Sequence, residues 1–122
     1  EGANHLVTLF CEALGLLTAA GVDDPAGTLR PLLDAALDNA LDHGDAALTG
    51  PIVRGDVQTV AAHLKDIATN APDTLPSYVA MAWATLDRSV TDGRLLPIQA
   101  QKIATVLSAH GDRAVHRSRV ES

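Results

Sequence analysis

The chain has 122 residues, with nine Lys+Arg against 15 Asp+Glu and one each of Phe, Tyr and Trp. A net charge of −6 and so few rings exclude a nucleic-acid surface built on phosphate contacts and base stacking, and an anionic membrane surface as well. Hydrophobic residues make up 47%, enough for one core of Leu, Val and Ala, and the single Cys11 excludes an intrachain disulfide.

A reduced, cytoplasmic setting follows as the default. The only methionine is Met81, so Glu1 is not an encoded start and the chain reads as a fragment or a processed product.

Residues 3 to 20 are expected to form the first helix, stopped by Gly21. Leu6, Val7, Leu9, Phe10, Leu14, Leu16 and Leu17 surround most of it. A helix apolar nearly all round belongs in a core or a subunit interface. Gly15 and Ala19, four apart, leave room for another backbone, so Phe10, Leu14, Gly15 and Ala19 are the expected dimer contacts. Thr8, Glu12 and Thr18 interrupt the stretch, which therefore does not read as a membrane span. Its start lacks the basic residues of a signal peptide.

Asp23 to Gly27 form a turn. Thr28 is expected to cap a second helix running to His43, with Pro31 in its first turn and Gly44 as its stop. Leu29, Leu32, Leu33, Leu37 and Leu41 make an i, i+3, i+4 stripe. Asp34, Asp38 and Asp42 lie opposite and read as a solvated face rather than a metal site.

Ala47 to Asp56 break the helical pattern with Thr49, Gly50, Pro51, Arg54 and Gly55, and Asp56 then opens a third helix to about Ala71. Asp56 is expected to accept the free N–H of Gln58 or Thr59 as an N-cap. Gly50, Pro51, Gly55 and Asp56 shape a rigid loop that presents Thr49 and Arg54 beside a helix N-terminus, where anions are favoured. A well-capped interhelical turn with a surface arginine reads equally from the same residues.

Val57, Val60, Ala61, Leu64, Ile67 and Ala68 bury one face of the third helix, with His63 at its boundary. A fourth helix follows over about 75–91, with Tyr78, Met81, Ala82, Leu86 and Val90 inward and Val79 and Trp83 flanking. The fifth, from Pro97 to about Ala109, packs Ile98, Ile103, Val106 and Leu107. Residues 111–122 lack periodicity and read as a disordered tail. The expectation is thus an all-α domain of about five helices over residues 1–110.

Gly-x-Gly-x-x-Gly, Gly-x-x-x-x-Gly-Lys, His-Glu-x-x-His and Gly-x-Ser-x-Gly are all absent, so the chain itself carries no recognisable nucleotide loop, zinc motif or nucleophile elbow.

The run Leu48-Thr49-Gly50-Pro51-Ile52-Val53-Arg54-Gly55-Asp56, with Thr59-Val60, His63-Leu64, Ala3-Asn4-His5-Leu6-Val7 and Leu37-Asp38-Asn39-Ala40-Leu41, resembles a known C-terminal domain. That helical domain is domain of unknown function 2520. It follows the Rossmann domain of NADP-dependent, reductase-like proteins related to ketopantoate reductase, pyrroline-5-carboxylate reductase and 6-phosphogluconate dehydrogenase. The resemblance covers most of residues 2 to 90.

It implies a five-helix fold like the 6-phosphogluconate dehydrogenase C-terminal domain and a homodimer. NADP is implied on a domain outside this chain, and the substrate is implied to be a small anionic carbonyl or imine. Asn4, Asn39, Thr49 and Arg54 are the substrate contacts it implies. Ketopantoate reductases place a lysine one helical turn before an asparagine of this half. Aligned on Asn4 that position precedes Glu1, and Lys65 and Lys102 lie outside the matching motifs. The alternative expectation is a non-catalytic helical dimerisation or regulatory module.

Overall fold

The computed structural model describes residues 2–112. They are all-α: five helices of 12 residues or more, one single-turn helix and two 3-10 turns, with no strand among the described residues. The tail read from 111 onward lies outside them, apart from Gly111 and Asp112. The chain divides between Ala47 and Leu48 into two compact units.

The first unit is a hairpin of α1 (Gly2–Ala19) and α2 (Pro25–His43), followed by a 3-10 turn over Gly44–Ala47. Gly21, at φ 87°, ends α1 in a Schellman turn. There Val22 N–H donates to Leu17 O, and Gly21 N–H to Thr18 O, both at 3.0 Å. Helix α2 starts earlier than expected because Asp24, not Thr28, is its N-cap. The Asp24 carboxylate accepts Gly27 N–H at 3.2 Å, and Pro25 takes the first helical position, where a missing N–H has nothing to lose. Pro31 therefore lies in the second turn, and the Gly27 carbonyl loses its helical partner.

Neither helix contains a buried residue. Of the two places expected for α1, a core or a subunit interface, the core is ruled out within the described residues: Leu6 is 52% exposed, Val7 59% and Leu37 on α2 56%. Two helices cover only one stripe of each other, so an all-round apolar helix keeps its remaining faces exposed within this unit.

The second unit holds the core. A single turn, α3 (Pro51–Arg54), leads to α4 (Val57–Asn70), a 3-10 turn (Pro72–Thr74), α5 (Leu75–Thr91) and α6 (Pro97–Ser108). Helix α3 packs on α4 and α5, and α6 on α4 and α5. Val60, Leu64 and Ile67 point inward from α4 at helical spacing, as expected. Ile103 and Leu107 from α6, and Leu95 from the loop before it, join Val60 and Leu64 in one buried cluster.

Helix α5 is turned differently from its expected face. Val79, Ala82, Trp83, Leu86 and Ser89 are buried, whereas Met81 and Val90 are exposed and Tyr78 is half-buried. The indole sets this register, because Trp83 Nε1–H donates to Gly111 O at 2.9 Å while the ring fills the core. Ile98, expected inside, is 69% exposed. It belongs to the first turn of α6, five residues before Ile103 and so about 140° round the helix from the buried Ile103–Leu107 stripe.

Candidate functional site

The candidate site is built on the turn from Thr49 to Asp56. Gly50 stands at φ 98°, ψ −174°, a backbone region open essentially to glycine alone, and Pro51 starts α3. Ile52 and Val53 are buried and anchor this turn to the unit, leaving Arg54 on the outside.

Gly55, at φ 71°, closes α3 by a second Schellman pattern: its N–H donates to Ile52 O at 3.1 Å, and Asp56 N–H to Pro51 O at 2.8 Å. A Cβ on Gly55 would also stand 3.3 Å from Leu95 Cδ1. Asp56 thus closes one helix with its N–H and opens the next with its carboxylate. That carboxylate accepts Thr59 N–H at 3.2 Å and Thr59 Oγ1–H at 2.6 Å. The expected N-cap is present, with Thr59 as its donor.

The Thr59 hydroxyl, then the Thr59 N–H, hold the Asp56 carboxyl below its usual pKa, and Arg54 and His63 add smaller attractions. A carboxyl whose pKa is lowered by folding contributes stability that is complete above its unfolded pKa. That contribution is lost as pH falls through the folded value. Asp56→Asn keeps a capping oxygen without the charge, so its stability is expected to fall less steeply in acid than the wild type's. Thermal melts between pH 2 and pH 6 check this, and parallel acid profiles would assign no such linkage to Asp56.

Arg54 is exposed, and no hydrogen bond or ion pair uses its guanidinium among the described residues. The Thr49 hydroxyl is likewise exposed and unengaged among them. Asn4 and Asn39 lie in the first unit, where the antiparallel helices put them at the same end of the hairpin, away from its turn. Both amides are exposed. The expected four contacts therefore fall in two pairs, one in each unit.

Phe10 and Leu14 line a groove of about 400 Å³ along the hairpin with Leu6, Leu29, Leu33 and Leu37, rimmed by Arg30 and Asp34. Gly15 and Ala19 are exposed, and a Cβ on Gly15 would meet nothing within 4 Å.

A pair that the sequence did not bring together joins α4 to α5. His63 Nδ1 lies 3.3 Å from Tyr78 Oη, with the rings edge to face at 6.3 Å and 83°. The signal that finds it is topological: α4 and α5 run antiparallel around Ala71, which puts positions 63 and 78 at one level. Among the described residues, no group of three or more His, Cys, Asp or Glu could hold a metal ion. Among them, too, no helix is long and apolar enough to cross a membrane.

A family model for Domain of unknown function (DUF2520) matches residues 1–85. The chain belongs to this family. The DUF2520 match runs from α1 through the Thr49–Asp56 turn and into α5, so it spans the candidate site whole. No curated protein and no solved structure matches the chain.

Proposed function

We propose that this DUF2520 chain is the helical, substrate-contacting and dimer-forming part of an NAD(P)-dependent oxidoreductase. The substrate is a small anionic carbonyl or imine compound, and the cofactor is held by a separate Rossmann domain. One observation supports the reading: a turn fixed by two positive-φ glycines and a doubly bonded cap presents an arginine whose guanidinium makes no hydrogen bond or ion pair among the described residues. A guanidinium offered in this way can grip a carboxylate with two parallel N–H bonds, and the Thr49 hydroxyl can add a third. The resemblance to the C-terminal half of such reductases supports the same role for Asn4 and Asn39. The described residues do not fit NADP, since they contain no strand and no Gly-rich turn from strand to helix.

Arg54→Ala in the intact protein is expected to lower kcat/KM or ligand affinity roughly 10- to 150-fold, the equivalent of about 1.5–3 kcal/mol for a charge-assisted contact. Arg54→Lys should recover only part, because an ammonium lacks the planar fork. Unchanged kinetics in Arg54→Ala would remove the site assignment.

A second reading, a non-catalytic dimerisation or regulatory module, is favoured by the exposed leucines of the first unit. That unit has no core and offers an apolar groove. In that reading Thr49 and Arg54 only brace the turn, so the same substitution leaves ligand affinity untouched.

A further inference from the structure

The hairpin of α1 and α2 has an apolar groove and no interior. Helices of 18 and 19 residues do not stand on propensity alone, since most helical stability in proteins comes from packing an apolar face. Leu6, Phe10, Leu33 and Leu37 line the groove, and Leu6 and Leu37 are more than half exposed. The charges at its rim indicate what covers it.

Arg30 is the only lysine or arginine in residues 1–47, and it stands at that rim one turn from Asp34. Neither side chain makes an ion pair among the described residues. Asp38 and Asp42 follow at four-residue steps, drift about 40° and 80° round the helix, and do not line the groove. The rim therefore carries one charge of each sign, four residues apart. A uniformly basic partner would set a like charge against Arg30, and a uniformly acidic one against Asp34. Such a surface is complementary to itself turned through 180°, which is what an isologous contact requires.

We propose that the α1–α2 groove is closed by the same groove of a second copy, in an antiparallel four-helix bundle where Arg30 of each copy meets Asp34 of the other. The proposal rests on the dimer-forming part of the reading above and adds the face, the direction and the register. The leucines supply the affinity, and the two rim pairs fix the register. Two helices about 27 Å long, side by side at 8–10 Å spacing, present a face of roughly 27 by 20 Å. With side-chain relief added, this is on the scale of the ~800 Å² that each partner buries in a standard interface.

Sedimentation equilibrium of the full chain, with charge reversals, tests this. The wild type is expected to be a dimer in the micromolar range. Arg30→Asp sets aspartate against aspartate at both pairs, and Asp34→Arg sets arginine against arginine. Each alone should raise the dimer Kd at least about tenfold. The two reversals combined restore opposite charges across the two-fold axis and should return the Kd to within about threefold of wild type. Both positions are exposed, so the fold is kept, and far-UV circular dichroism checks it.

Rescue by the double reversal is specific to a self-paired face, because a groove covered by any other surface carries no matching reversal. A dimer that ignores both single reversals, or that the double reversal fails to restore, overturns this face and register and leaves the dimer reading standing. A monomer throughout the micromolar range overturns both.

Discussion

Leu64→Ala is expected to lower the stability of the second unit by about 2–5 kcal/mol, the range for emptying a leucine site in a closed core. Leu64 is 0% exposed and belongs to the cluster that joins α4, α5 and α6 with Trp83. Its removal leaves a cavity lined by side chains from three helices, none of which can close it alone. The same change at Leu41, which is 77% exposed, should stay within about 0.5 kcal/mol in dilute solution. Urea unfolding followed by Trp83 fluorescence measures the first, and far-UV circular dichroism follows both. Equal losses at the two positions would contradict the placement of the core in residues 48–112.

Gly50→Ala should cost about 1–3 kcal/mol, because φ 98°, ψ −174° is strained for any residue with a Cβ. Gly55→Ala should fall in a similar range of about 1–2 kcal/mol for a left-handed φ of 71°, with crowding against Leu95 Cδ1 at 3.3 Å added to it. Gly15→Ala supplies the opposite sign. It lies inside α1 with open space around it, so the substitution should stabilise by about 0.5–1 kcal/mol through lost unfolded-state freedom. Thermal melts of the three variants separate the cases. A neutral Gly50→Ala would mean that the turn is not held in the conformation described.

The helices were legible because their boundaries carry strong local signals. Gly21, Gly44, Pro72 and Gly93 mark stops, and the α4 stripe Val60-Leu64-Ile67 has one physical solution. Asp56 was legible as a cap for the same reason. The start of α2 was missed because Asp24-Pro25 competes with Thr28 as a cap signal, and aspartate followed by proline wins. The face of α5 was missed because its register depends on a tertiary bond, Trp83 to Gly111, that no local pattern contains.

Apolar periodicity in α1 and α2 signalled burial, yet neither helix has a buried residue, because the first unit has no third long helix to cover the remaining faces. Arg54 was legible through its glycines and cap. The His63–Tyr78 contact was not, since it needs the pairing of two helices across Ala71.

NADPH oxidation by the intact protein that carries this chain tests the central claim most directly, assayed against a panel of small anionic oxo acids and imines. The account predicts consumption with at least one member of the panel, reduced at least about tenfold in kcat/KM by Arg54→Ala. No consumption with any member, or turnover indifferent to Arg54→Ala, would contradict it.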